Sequence, residues 1–468
     1  MANIREHCSW VHSNEKEEAT EKAKDLIRMS VARARHLKPL QEIALPVNKA
    51  ALVVGGGIAG MNCALSIANQ GHEVYLAEKA TDLGGIARKL YHTLEGLDVQ
   101  AYLRDLIRKV YRHPLLHVYT NVTVTKVTGH MGNFVANVKS ERGITEIRHG
   151  ASVIATGADV YKPTEYLYGE DDRVLTSLEL EEQIARGDKK VANAKSIVMI
   201  QCVGCRNEER SYCSRICCSQ SVKNALKLKE INPKMDITIL FRDMRTYGFK
   251  EDYYREAADK YVRFIRYEPQ DKPQAEAAEE GGKEILRVTV TEPVLGKKLE
   301  LDADVIALAV AVIPSAGNRD ISLLFGVSLG PDDWFKEAHV KLRPVEFGAE
   351  GIYLCGIAHY PKFIPETISQ AYGAAGQVLT LLSHDTVVAS GSVCEVDEKR
   401  CTGCGACVAA CAYGALELRG TKNRKKAVVN PALCKGDGLC NTKCRKDAIS
   451  LKHFTDEEIL SQIDALLS

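Results

Sequence analysis

Fourteen of the chain's 16 cysteines lie beyond residue 200, and their spacing raises the first chemical question. Thiolates are soft, anionic ligands. Clustered in a chain that opens on a polar, charged segment and not a secretory leader, they point to metal or redox chemistry, not to structural disulfides. Cys401-x2-Cys404-x2-Cys407-x3-Cys411 is the run that wraps an iron–sulfur cube, with the fourth cysteine reaching a second cluster. Residues 396–418 repeat at 429–451 with a fixed offset of 33, which sets Cys401, Cys407 and Cys411 on Cys434, Cys440 and Cys444. One cluster is then expected on Cys401, Cys404, Cys407 and Cys444. The other is expected on Cys434, Cys440 and Cys411, with position 437 as fourth ligand. That position is Asp437, a harder and weaker ligand for such iron. The second cluster is therefore expected to be [4Fe–4S] with a labile iron, or [3Fe–4S]. Ala412 and Arg445 stand where proline often follows the fourth cysteine. Zinc is the competing reading, but the spacing is unlike paired zinc knuckles.

A second group, Cys202, Cys205, Cys213, Cys217 and Cys218, follows an apolar strand at 196–200 and precedes a helix and a strand at 236–241. Its loop is rich in Arg, Asn, Glu and Ser, a poor setting for inert core thiols. Ligation is the favoured reading, with a Cys202/Cys205 redox dithiol as the alternative.

Gly55-x-Gly57-x-x-Gly60 lies between a strand at 50–54 and a helix from about 58 to 70. In that context the glycines allow a tight turn, close approach of a pyrophosphate and tight helix–strand packing. Gly57, Ile58, Ala59 and Gly60 open the helix whose free N–H groups would face phosphates. Glu78, with Lys79 beside it, ends the next strand and is placed for a ribose hydroxyl. Gly84 and Gly85 follow, then a second small-residue turn at Ala155, Thr156 and Gly157. A third turn at Gly356 precedes a helix near Gln370, where disulfide-reductase-like flavoproteins close over their flavin. Together these favour FAD over NAD. The strand at 196–200, where a nicotinamide unit would carry its own glycine loop, leads into the cysteine loop instead, so hydride entry at that domain is not expected.

The elements that must position these groups are those of an α/β chain. Five segments are expected. They are an amphipathic helical arm (1–48), an FAD-binding Rossmann domain (49–160), an inserted Rossmann-like domain with the cysteine loop (161–310), the second part of the FAD domain (311–390) and an α+β ferredoxin-like domain (391–468). Residues 268–283, rich in Glu and Ala, are expected to be an exposed loop. The 62 Lys+Arg against 61 Asp+Glu give no case for nucleic acid or an anionic membrane as partner. No apolar stretch reaches spanning length, and the expectation is a soluble cytoplasmic protein.

The run Cys8-Ser9-Trp10-Val11-His12, the GGGIAGM turn at 55–61, the IQCVG…YCSRICC loop at 200–218 and the two tail repeats together resemble the A subunit of heterodisulfide reductase. The resemblance covers essentially the whole chain. It implies FAD in a thioredoxin-reductase-like two-Rossmann fold and a further [4Fe–4S] cluster on Cys202, Cys213, Cys217 and Cys218, about three clusters in all. Cys205 would be a spare or substitute ligand. It also implies that an additional N-terminal domain precedes the Cys8 segment in the family but not here, which would leave Cys8 an orphan. The segment from Gly356 through His359 to Lys362 falls where the family approaches the flavin ring, and a cation there would favour the reduced flavin. An ordinary loop histidine is the competing reading of His359. The implied function is that of an electron-transfer component, bifurcating or confurcating electrons between FAD and clusters. The alternative is a plain relay, such as the modules of benzoyl-CoA reductase complexes. Implied partners are other reductase subunits and hydrogenase, dehydrogenase or ferredoxin modules, with a homodimer inside a larger assembly.

Overall fold

The computed structural model describes all residues except 41, 281–282, 390 and 422–423. Two compact units emerge: Asn48–His384, and Met1–Val47 together with Asp385–Ser468.

The larger unit holds two parallel sheets. In the first, Ala51–Val54 is flanked by Val74–Ala77 and Ala151–Ile154, with Leu116–Tyr119 and Ile352–Leu354 outside them. The strands Ala51–Val54 and Ala151–Ile154 are buried throughout and apolar except for Ser152, as a sheet covered on both faces requires. Helices Ile58–Ala68 and Ile364–Ser383 pack on it. An antiparallel trio, Thr123–His130, Asn133–Ser140 and Gly143–His149, is set between its strands in sequence.

Two short linking strands, Ala158–Val160 and Val312–Pro314, pair antiparallel and bracket everything between them. The bracketed part is the second parallel sheet: Val174–Thr176, Val305–Val310, Ser196–Val203, Asp236–Phe241 and Val262–Arg266 in that spatial order. Glu181, fully buried, accepts from Lys223 Nζ at 2.7 Å and from the Tyr91 N–H at 2.7 Å, which fastens this inserted part to the first.

The expected loop at 268–283 is corrected. Gln274–Glu280 is a strand, paired antiparallel with Lys283–Glu292, which in turn pairs with Lys297–Ala303. Ala275 packs toward the neighbouring core, and ladder pairing overrides the weak strand preference of Ala and Glu.

In the smaller unit the arm helix Lys16–Ala34 packs on the final helix Asp456–Leu467. Arg33 stacks over Phe454 at 4.7 Å, and His453 contacts the Lys38 carbonyl at 2.8 Å. The arm's docking site thus lies within its own chain. Cys8 is buried there and its thiol donates to the Ala19 carbonyl at 2.7 Å. The tail is a duplicated unit in which Cys394–Val396 pairs with Ile449–Leu451, and Leu416–Arg419 with Lys426–Val429. No helix among the described residues is long and apolar enough to cross a membrane.

Candidate functional site

The dinucleotide turn is shaped by backbone crowding. Gly55 has φ +111°, and a Cβ there would lie 2.3 Å from the Ala155 carbonyl oxygen. A Cβ on Gly60 would sit 1.8 Å from the Gly55 oxygen, so helix Ile58–Ala68 rests directly on the turn. At Gly57 a Cβ would meet no protein atom within 4 Å, which leaves the face before the helix N-terminus open. That N-terminus has no side-chain cap, so its N–H groups remain available to an anion. Thr156 contributes a buried Oγ1 with no partner in the protein. An open glycine cradle, an uncapped helix and an orphaned hydroxyl fit a bound dinucleotide.

Glu78 is buried, and its carboxylate accepts from the Gly56 N–H at 2.5 Å and the Ala80 N–H at 2.7 Å. It therefore already braces the glycine turn, a job its position alone does not announce. Lys79 is exposed. Gly84 and Gly85 close on the turn, with Gly84 N–H donating to Gly56 O at 2.8 Å.

At the third turn, Gly356 has φ +79°, and a Cβ there would lie 2.5 Å from that of Ala59. Its N–H donates to Gln370 Oε1 at 2.9 Å, Gln370 Nε2 lies 2.9 Å from His359 Nδ1, and His359 Nε2 lies 2.8 Å from Glu337 Oε2. Gln370 donating to Nδ1 assigns the proton to Nε2, and burial beside Lys362 lowers the imidazole's pKa. Both ring nitrogens are thus engaged within the protein. Lys362 is buried, stands 3.1 Å from the Tyr360 ring centroid, and is depressed to about 7 by burial and by Arg215. Together with Phe363 and Ile364 it lines a cavity of about 100 Å3 whose other wall includes Ile216, Ser219 and Gln220, at the start of the helix that follows the cysteine loop.

That loop leaves the strand Ser196–Val203 through an irregular register, with Cys202 at φ +63°. The structure brings its cysteines together. Cys202 and Cys205 share a hydrogen bond that pushes Cys205 down to about 7 and Cys202 up. Cys217 and Cys218 do the same at the first turn of helix Cys217–Ile231, where Cys218 is lowered and Cys217 raised. The nearby Cys213 acts in the opposite direction, raising the Cys205 thiol. Cys205, set aside by the resemblance, sits inside the group. The loop is braced by Tyr212 donating to Val312 O (3.1 Å), the Val312 N–H donating to Ser214 (2.9 Å) and Arg215 bridging Pro361 O (3.1 Å) and Glu366 (2.8 Å). It is thereby tied to the segment that carries Lys362.

In the tail, Cys401, Cys404, Cys407 and Cys444 wall a cavity of about 160 Å3, the four residues the repeat assigns to one cluster. The Ala427 N–H donates to Cys401 Sγ at 3.4 Å, Ala415 N–H to Cys411 Sγ at 3.4 Å and Ala448 N–H to Cys444 Sγ at 3.2 Å, as cluster thiolates favour. Cys411, Cys434 and Cys440 share the same small core. Asp437 is exposed, and its Oδ1 accepts from the Leu439 N–H at 3.3 Å. Among the described residues no three Cys, His, Asp or Glu side chains converge as around a single metal ion. In a cube each thiolate instead binds a different iron.

A dinucleotide sheet with a second sheet inserted through paired linkers, joined in one chain to a duplicated cysteine tail, defines an iron–sulfur flavoprotein oxidoreductase. Residues 49–200 match the model for pyridine nucleotide-disulphide oxidoreductases, and residues 400–448 that for the 4Fe-4S dicluster domain. The chain belongs to the family of heterodisulfide reductase A subunits. It is 34% identical to the second iron-sulfur A subunit of the CoB–CoM heterodisulfide reductase of Methanopyrus kandleri, over 89% of this chain and 77% of that one. It is 33% identical to the A subunit of the H(2):CoB-CoM heterodisulfide,ferredoxin reductase of Methanothermobacter marburgensis, over all of this chain and 84% of the relative. The latter alignment spans 561 positions against 468 residues here, so that relative holds stretches within the matched span that have no counterpart in this chain. Among solved structures, the thioredoxin reductase of Lactococcus lactis is similar over 71% of this chain and 99% of its own, with TM-score 0.49 and 19% identity. The chain is thus an oxidoreductase subunit carrying FAD and [4Fe–4S] chemistry.

Proposed function

We propose that this chain is the flavin junction of a heterodisulfide-reductase-type complex, where electrons paired on the flavin leave singly along iron–sulfur clusters at unequal potentials. The observation that carries the reading is the replacement of the nicotinamide loop by five gathered cysteines, anchored through Arg215 to the Lys362 segment. FAD, when bound, supplies the conversion between two-electron and one-electron chemistry.

The chain's residues divide the remaining work. Gly55, Gly57, Ile58, Ala59 and Gly60 hold the pyrophosphate, with Glu78 and Lys79 at the ribose end. Gly84, Gly85, Ala155, Thr156 and Gly157 shape the channel. Gln370, oriented by His359 and Glu337, fixes the Gly356 turn at the flavin, and Lys362 supplies a titratable positive charge. His359 acts as a positioning residue. The loop cluster is held by Cys202, Cys213, Cys217 and Cys218, with Cys205 beside them, and the tail holds two more, three clusters in all. The Methanothermobacter marburgensis relative is named a reductase of both heterodisulfide and ferredoxin, which supports partner subunits that deliver hydrogen-derived electrons and accept them at ferredoxin potential.

The one-electron potentials of the flavin in the full chain test the junction. Crossed potentials, the first electron harder to add than the second, are expected. Ordered, uncrossed potentials would make the chain a plain relay. The hydrogen bond between Cys202 and Cys205 favours one other reading, a dithiol reductase. That reading requires dithiol turnover abolished by alkylating Cys205.

A further inference from the structure

The second tail cluster lacks a cysteine at 437, and the fold brings another thiol to it. Cys394 lies outside the repeated cysteine pattern, on the strand Cys394–Val396. It is 3% exposed, its Sγ lies 4.0 Å from Cys434 Sγ, and it is in hydrogen-bond contact with the Cys440 thiol. The repeat explains why. At the offset of 33, Cys394 corresponds to Ala427, whose N–H touches Cys401 Sγ and which lines the first cluster's cavity. The strand position that packs against a cluster loop is thus a small alanine in one half and a thiol in the other. The backbone confirms the register: a Cβ on Gly403 would lie 2.1 Å from Lys425 O, and one on Gly436 would lie 2.6 Å from Ser392 O. Each cluster loop presses on the segment that leads into the other repeat.

We propose that Cys394 is the fourth ligand of the second tail cluster, completing a Cys394, Cys411, Cys434 and Cys440 set and relieving Asp437 of that role. On ligation the Cys394 thiol gives its proton to solvent and its thiolate binds the iron that Asp437 leaves without a sulfur ligand. No electron is exchanged. The inference rests on the two-cluster reading of the tail. It replaces the expectation of a three-iron or aspartate-bound centre with an all-thiolate [4Fe–4S] cluster.

The test is Mössbauer and EPR spectroscopy of the anaerobically reconstituted full chain, with FAD content as the check on folding. Wild type is expected to show no three-iron signal when oxidised, Asp437→Ala to match it, and Cys394→Ala to gain a three-iron signal with about one iron fewer per chain. The double variant Cys394→Ala/Asp437→Cys is expected to restore the four-iron spectrum. A three-iron signal in Asp437→Ala, or an unchanged four-iron spectrum in Cys394→Ala, overturns the proposal. Iron for only one tail cluster in the wild type overturns the two-cluster reading, and this proposal with it.

Discussion

Gly60→Val is expected to give a chain that does not retain FAD. The added Cβ would lie 1.8 Å from the Gly55 carbonyl oxygen, a backbone atom of the turn itself. Overpacking costs about 1–3 kcal/mol where side chains can shift. Here the obstacle is backbone, so helix Ile58–Ala68 must lift from the strand and carry its N–H groups away from the pyrophosphate. Flavin absorbance per chain should fall to background, with a lowered melting temperature. Gly57→Ala separates binding from folding: its Cβ meets no protein atom, so stability should persist while FAD affinity falls. Stoichiometric FAD in Gly60→Val would show that the turn does not hold the cofactor.

Lys362→Met is expected to lower the flavin's midpoint potential at pH 6 and to leave it nearly unchanged at pH 8.5. Burial and Arg215 bring the ammonium down to about 7, so it is charged below that pH and neutral above it. A charge at the ring edge is worth about 1–3 kcal/mol at an effective dielectric near 20, or roughly 20–60 mV for a two-electron couple. By reciprocity, reduction of the flavin draws a proton onto Lys362, so the wild-type potential should fall with pH above 7 more steeply than the variant's. The stability effect has the opposite sign. A lysine with a depressed folded pKa binds fewer protons folded than unfolded between about 7 and its ordinary value, so stability rises with pH across that window. The variant should therefore be at least as stable as wild type at pH 6. Identical potentials at both pH values would remove Lys362 from the flavin's electrostatics.

Much of this site could be read along the chain because its signals are local. A glycine turn between a strand and a helix is set by contacts a few residues apart, and the structure puts Ala51–Val54 and Ile58–Ala68 where the motif asks. The tail repeat likewise sets its cysteines by loop spacing, and the structure gathers Cys401, Cys404, Cys407 and Cys444 around one cavity. What was hidden depends on tertiary pairing. Cys394 joins Cys434 and Cys440 only because its strand pairs with Ile449–Leu451. Glu78 braces the Gly56 N–H across the sheet, and Gln370 meets Gly356 through a hydrogen bond spanning 14 residues. The strand Gln274–Glu280 was masked by a composition that only ladder pairing makes extended. The arm helix signalled a docking face without naming its partner, the chain's own last helix.

As proposed, the cysteine loop replaces nicotinamide chemistry with a cluster and leaves the flavin fed and drained by iron–sulfur centres. Quantitative Mössbauer spectroscopy of the full, anaerobically reconstituted chain, set against its FAD content, tests this most directly. About twelve cluster irons per FAD, falling by about four when Cys217 and Cys218 are both replaced by serine, is the predicted result. About eight irons per FAD, unchanged by those substitutions, would contradict it.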